Sequence, residues 1–533
     1  MSEDARVSEE TNTKKRAGIL NLAYVDISQI QSKQLFIGLL TVPQMYDLKI
    51  VPLISDQHNV TFGITNNTSQ QTLVDVRQRF PDQNVSFVMI SDTGYRDYMK
   101  LYDPPKQVVY HDIKIDGTTA SDSVSSVSLT LGQVNASDML GYLVEQAHRL
   151  QASDIHIETQ PNAARVRYRI DGVLHSVASV NLEKYRALVT AIASAGNIST
   201  SSNEAQQGHI AQHIKLADGK EVDVNVRLET TPTINGMDIV MRLFNMQKDM
   251  FTLDRLGLSE KERAVVDDII AKPTGLVLVV GPTGSGKTTT LYSILNSLSN
   301  DEMKIITVED PVEYQFPGIT QIPVTTENSG ETKFAEKLRD ILRLDPDIVM
   351  IGEIRDMDTA KTALQASLTG HLVLATFHAS SAAAALTRLM EVIGQNPLFI
   401  SSIRLVMAQR LVRRLDEHTK QPYTPDEQTT EFVKSVISGL PKEIPKPDIS
   451  NLQLYHPGKS EENPFGYKGQ IAIREQFLIT GEVKQLLLSS KMASTEEIEK
   501  AAVDSGMLTI LQDGILKAIA GLTTIEELYR EIG

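Results

Sequence analysis

The chain has 533 residues, 41% apolar and 22% charged, with 52 Lys and Arg against 67 Asp and Glu, a formal net charge of −15. This is ordinary usage for a globular protein of several domains and excludes collagen-like, low-complexity and largely disordered classes. The acidic balance argues against a protein that coats nucleic acid. The absence of cysteine removes disulfides, thiol catalysis, iron–sulfur clusters and thiolate zinc sites.

Residues 1–18 read as a polar tail without an apolar h-region, so no secretory signal is expected. Between residues 19 and 105, the short runs Ile50–Ile54, Val60–Ile64 and Val85–Ile90 alternate with helix-like stretches, which predicts a small α/β domain. Residues 106–133 include TTASDSVSSVS and read as a linker. Over residues 134–250, Val166, Tyr168 and Ile170 alternate with Arg165, Arg167 and Arg169, and Asp171-Gly172 is a hairpin signal. A mixed α/β domain is predicted there. From residue 251 to 533, apolar runs at 276–280, 305–308, 348–351 and 372–376 alternate with helical segments. That pattern predicts a largely parallel sheet with ligand chemistry at the carboxyl ends of its strands. No apolar run approaches the ~20 residues needed to span a bilayer, so no transmembrane segment and a cytoplasmic location are expected.

Gly281-Pro282-Thr283-Gly284-Ser285-Gly286-Lys287-Thr288 matches G-x-x-x-x-G-K-[ST] in full, and Thr289 follows it. The run Leu276–Val280 precedes the motif, and a helix with Leu291, Ile294, Leu295 and Leu298 on one face comes after it. Strand, glycine loop and helix are what phosphate binding requires: backbone N–H groups approach the anion at a helix N-terminus. Lys287 is suited to the β- and γ-phosphates and the Thr288 hydroxyl to Mg²⁺.

Two acidic clusters follow strands, Glu309-Asp310-Pro311-Val312-Glu313 and Gly352-Glu353. Both place carboxylates at the sheet edge where hydrolysis needs a metal-organising acid and a group that orients or deprotonates water. His371 and His378 bracket the strand 372–376, and either could sense a γ-phosphate or bond an acidic residue.

Taken in order, GPTGSGKTTT, TVEDPVEY, LDPDIVMIGEIRD and TGHLVLATFHA closely resemble the hexameric secretion ATPases, the motors of type IV pilus assembly and type II secretion. SDIHIE and RVRYRIDGVL upstream, and QRLVRRL, GYKGQIAI and GMLTILQDG downstream, extend the resemblance over roughly residues 134–533. It implies a RecA-like P-loop ATPase core (251–533) preceded by a PAS-like α+β domain (134–250), with the N-terminal α/β domain as an addition suited to docking. It implies a homohexamer that uses ATP and Mg²⁺ at the inner face of the cytoplasmic membrane. The ring would act on an inner-membrane platform protein and thereby on pilins. By the same resemblance Glu313 is the general base, with Glu309 as runner-up. Glu353 helps hold Mg²⁺ through water, and His371 and His378 form the histidine box. Arg167 and Arg169, with Arg227 and Arg242 behind them, reach the nucleotide of a neighbouring subunit.

The chain departs from the pattern at Gln207-Gly208-His209, where an arginine commonly follows the glycine. It departs again at 416–466, where the four zinc-binding cysteines of many relatives align with Asp416, Thr419, Lys459 and Glu462. No zinc is therefore expected, and this insert should be among the more mobile parts of the domain: Lys459 could pair with Asp416 or Glu462, but an exposed pair contributes only ~0.2–1 kcal/mol. Two other readings remain. A RecA-like nucleic-acid translocase or helicase would share the chemistry but is opposed by the net charge and the lack of a basic–aromatic tract. A regulatory subunit without turnover is opposed by intact Lys287, Thr288, Glu313 and Glu353.

Overall fold

The computed structural model describes residues 3–30, 33–103, 113, 120–215, 221–244, 251–324, 333–394, 396–460, 463, 465–489 and 493–533. The chain divides into two compact units, Met1–Val109 and Tyr110–Gly533.

In the first unit, strands β1 (Ala23–Tyr24), β2 (Ile50–Ser55), β3 (Asn59–Ile64) and β4 (Asn84–Met89) form a sheet in the order β1-β4-β3-β2. Its core collects Ile50, Val51, Val60, Phe62 and Ile64 with Val76, Tyr98 and Met99 of the covering helices. The residues read as a tail form a helix, Glu3–Ile19. Its polar side chains have partners: Glu10 accepts from the hydroxyls of Tyr24 and Ser91, each at 2.7 Å, and Glu9 from that of Thr93 at 2.6 Å. Composition alone cannot show such long-range pairing.

The second unit begins with another correction. Ala120–Gln133, inside the stretch read as a linker, is a helix. Val127 and Leu131, one turn apart, are buried, and the Ser128 hydroxyl accepts from the Ser179 amide at 2.9 Å. Serines among apolar residues at helical spacing therefore make a packed face. The helix packs against the first of two large sheets, formed by β5 (Asp154–Thr159), β6 (Ala163–Ile170), β7 (Val173–Asn181), β8 (Gln206–Lys215), β9 (Glu221–Thr233) and β10 (Gly236–Phe244) in the order β7-β6-β5-β10-β9-β8. Every pairing in it is antiparallel. Alternation sends Val166 and Tyr168 inward and the arginines of β6 to the opposite face.

The second sheet carries the phosphate loop. It contains β11 (Gly275–Val280), β12 (Ile305–Glu309), β13 (Thr320–Pro323), β14 (Ile348–Ile354), β15 (Leu372–Phe377), β16 (Ile403–Leu415) and β19 (Tyr467–Leu478), in the order β13-β12-β14-β15-β11-β16-β19. A small hairpin, β17 (Gln421–Tyr423) with β18 (Leu454–His456), lies between β16 and β19 in the chain. Among the described residues of the large sheet, β19 alone runs antiparallel. The continuous apolar runs of β11, β14 and β15 reflect burial on both faces, with helices on either side.

The insert aligned with the zinc clip is tied by hydrogen bonds. Asp416 is buried and accepts from Asn463 Nδ2 at 2.8 Å and from the His418 amide at 3.0 Å. Asn463 also donates to the Tyr467 carbonyl at 3.0 Å and accepts from the Gly466 amide at 3.1 Å. The partner of Asp416 is thus Asn463 rather than Lys459, and Glu462 lies outside the described residues. These bonds hold the Asp416 carboxyl below its usual range, so its ionised form contributes stability that is lost as pH falls through that lowered value. Asn463→Ala should lower stability by about 1–3 kcal/mol, read as an earlier thermal midpoint. A midpoint equal to that of the parent, or stoichiometric zinc by elemental analysis, would contradict this account of the clip.

Candidate active site

The carboxyl end of β11 turns directly into the phosphate loop. Gly281 sits at φ 152°, and a Cβ there would lie 2.4 Å from Ser285 Oγ and 2.6 Å from the Gln409 carbonyl oxygen. Gly286, at φ 82°, is the N-cap of helix Lys287–Leu298, in the left-handed region that favours glycine. The loop is braced from the neighbouring strand β16: Gln409 Nε2 donates to the Ser285 carbonyl at 2.6 Å, and its Oε1 accepts from the Thr290 hydroxyl at 2.9 Å. Gln409 was missed as a site residue, although it opens the QRLVRRL motif. Lys287 Nζ donates to the Gly281 and Pro282 carbonyls at 2.9 and 2.8 Å. Burial pushes its pKa down, as does the positive charge of Arg410, while Glu353 and Glu313 oppose the shift.

The two acids of the first cluster have different surroundings. Glu309 ends β12 with 2% exposure, and its carboxylate accepts from the hydroxyls of Tyr292 and Thr307, both at 2.5 Å, and from Gln321 Nε2 at 3.1 Å. The Tyr292 oxygen in turn accepts from the Glu313 amide at 3.2 Å. Glu309 therefore fixes Tyr292, and Tyr292 fixes the backbone that carries Glu313. Burial raises the Tyr292 pKa further above its ordinary value, so the phenol keeps the proton it donates. The Thr288 hydroxyl of the phosphate loop favours the ionised form of the Glu313 carboxyl. Burial pushes its pKa up, against the lowering fields of Arg242 and Arg227, and the negative charge of Glu309 adds to the rise.

The second acidic cluster lies beside the first. A register irregularity between Ile351 and Ile354 interrupts the pairing of β14 with β15 at Gly352-Glu353. Glu353 Oε1 is 2.7 Å from His378 Nε2, and Oε2 accepts from Arg355 Nε at 2.7 Å. Arg355 also reaches Asp310 at 3.3 Å. Burial and the Lys287 charge lower the His378 pKa despite Glu353. A neutral ring bonding the carboxylate through Nε2 carries its proton on that nitrogen.

His371 does not join this group. Its backbone oxygen accepts from the Gly275 amide, where β11 begins, and its ring Nδ1 is 2.9 Å from the Ala366 carbonyl oxygen. The six-residue strand β15 separates it from His378, about 20 Å at ~3.3 Å per residue. Residues that bracket a strand stand at opposite sheet edges, so only His378 is at the nucleotide edge.

Within the chain the arginines fall into two groups. Arg165 and Arg167 both bond Glu158, the former at 2.8 Å, and Arg169 lies 3.7 Å from Asp154. The charges of Arg242 and Arg227 act on Glu313 of the same chain.

Residues 131–530 match the family described as Type II/IV secretion system protein. The chain belongs to that family. It is 38% identical to Type II secretion system protein E of Xanthomonas campestris pv. campestris, over 78% of this chain and 70% of that one. It is 34% identical to Type IV pilus assembly ATPase PilB of Myxococcus xanthus, over 83% and 77%. Among solved structures, the Legionella pneumophila ATPase DotB superposes with a TM-score of 0.52 at 22% identity, covering 74% of this chain and 95% of DotB. That likeness bears on the fold alone, a mixed α/β chain with a parallel sheet. No helix among the described residues is long and apolar enough to cross a membrane.

Proposed function

We infer that this secretion-family chain is an ATPase motor for pilus or pseudopilus assembly or type II secretion. One observation carries the reading: Lys287, Thr288, Glu313, Glu353 and His378 come from four separate segments and converge at one edge of the parallel sheet. In this reading residues 251–533 are a RecA-like core and 134–250 a PAS-like half. The chains form a homohexamer, and the N-terminal α/β unit docks the ring to an inner-membrane platform protein at the cytoplasmic face.

The division of labour follows from the side chains. Lys287 and the loop amides bind the phosphates of ATP. Glu313, held up in pKa and fixed in place through Tyr292 and Glu309, accepts the proton of the attacking water. Glu309 serves by positioning, because three donors already occupy its carboxylate. The Thr288 hydroxyl and the Glu353 carboxylate are hard oxygen donors of the kind Mg²⁺ takes. When bound, that ion neutralises phosphate charge. His378 holds Glu353, while Arg227 and Arg242 supply positive potential at the same edge.

Purified protein should release phosphate from ATP, and single-stranded DNA should leave the rate within about twofold, given the acidic chain and the absence of an aromatic nucleic-acid track. Strong stimulation by DNA would sink the secretion reading in favour of a translocase.

A further inference from the structure

Strand register aligns the cations of the first sheet in the second unit into a row. Arg169 pairs across to Asp154, Asp154 to Arg242, Arg242 to Arg227, and Arg227 to His209. Directly opposed residues project from the same face, where like charges repel. Three arginines and a histidine thus share one carboxylate in their row, that of Asp154. Its Oδ1 accepts from Arg242 Nε at 2.9 Å. Its Oδ2 accepts from the Ser153 hydroxyl at 2.7 Å and lies 3.7 Å from Arg169 Nε. The Asp154 side chain is 6% exposed, whereas that of Arg242 is 50% exposed. The fixed partner is therefore the carboxylate, and the arginine is the group it holds. Because the bond uses Nε, the two terminal nitrogens of Arg242 stay outside it.

We propose that Asp154 is a positioning residue for ATP hydrolysis, holding the guanidinium group of Arg242 so that its positive potential is preset at the nucleotide edge where Glu313 acts. A preset field at the site of charge development accelerates reaction because nothing has to reorient during the step. Neutralising the arginine row would not require a buried acid: Glu229, on the same face, meets Arg227 at 3.2 Å with 53% of its side chain exposed. The groups that act on Glu313 are Arg242, Arg227, Glu309 and Thr288, with Lys287 and Tyr292 nearby. Those around Asp154 are Arg169, Arg242, Ser153 and His156.

The inference rests on Glu313 as base and Arg242 as its cationic neighbour, so the test separates the two levels. Asp154→Ala should lower kcat about tenfold with KM for ATP changed less than about threefold, the pattern of a lost transition-state interaction. Arg242, released, drifts from Glu313, and the acid limb of the kcat–pH profile moves to higher pH. A carboxylate that only balanced charge would give the opposite shift, because its removal makes the field at Glu313 more positive. Asp154→Asn, which keeps an acceptor oxygen, should recover part of the rate, and it carries the test if the alanine variant does not fold. Asp154→Ala in an Arg242→Ala background should cost less than it does alone, because both changes remove the same placed charge. Wild-type kcat in Asp154→Ala, an acid limb that stays or moves down, or full additivity overturns the proposal while leaving the Arg242 reading intact. Wild-type kcat and acid limb in Arg242→Ala would remove that reading, and the proposal with it.

Discussion

Replacing Lys287 with alanine is expected to weaken ATP binding by about 100-fold, since a hydrogen bond to a charged group contributes about 1.5–3 kcal/mol and each 1.4 kcal/mol is tenfold. The folded protein should tolerate the change. Among the described residues, Lys287 Nζ bonds only carbonyls of its own loop, those of Gly281 and Pro282, and Gln409 braces the loop independently from β16. Titration with a fluorescent nucleotide, beside a thermal melt, measures both quantities. Affinity within about threefold of the parent would remove Lys287 from the phosphate site.

Glu313→Gln should keep ATP binding and lose about 10²–10⁴-fold in kcat, because a carboxamide cannot accept the proton. The substitution keeps the shape and leaves the amide bond to Tyr292 in place. In the parent, burial raises the pKa of this glutamate, so activity should fall on the acid side at a higher pH than an exposed carboxylate would give, as the base becomes protonated. Glu309→Gln should behave differently. Its carboxylate accepts from three donors at once, so the change should lower the thermal midpoint as well as the rate. A melt therefore separates the two acids, since only the Glu309 variant should move it.

Much of the nucleotide edge was legible because its signals are local. The phosphate loop is a contiguous motif between an apolar strand and an amphipathic helix, and both acidic clusters follow apolar runs observed as β12 and β14. What was not legible depends on partners far along the chain. Sequence ranks Glu313 above Glu309 only through the family resemblance, and the physical difference between them lies in distant partners, Tyr292, Thr307 and Gln321 for Glu309 and Arg242 and Arg227 for Glu313. Strands β16 and β19 went unread as sheet members because charged and polar residues interrupt their runs, as in QRLVRRL. The position of His371 could have been deduced, since a strand six residues long keeps its two ends at opposite sheet edges.

The intrachain partners of the arginines were hidden for a related reason. Alternation on β6 drew attention to Arg165, Arg167 and Arg169 as a set, yet the adjacent strand β5 supplies Glu158 and Asp154 to receive them. The charges of Arg227 and Arg242, one on each of two other strands, act on Glu313 of the same chain. Register across the sheet, which no single segment encodes, decides which cations meet the site.

The most direct test of Glu313 as the base is the chemical state of nucleotide bound to the Glu313→Gln protein. Incubated with labelled ATP and Mg²⁺ and passed through a desalting column, the variant should return its bound nucleotide as ATP over times in which the parent returns ADP. Recovery of ADP from the variant at the parent's rate would contradict the account.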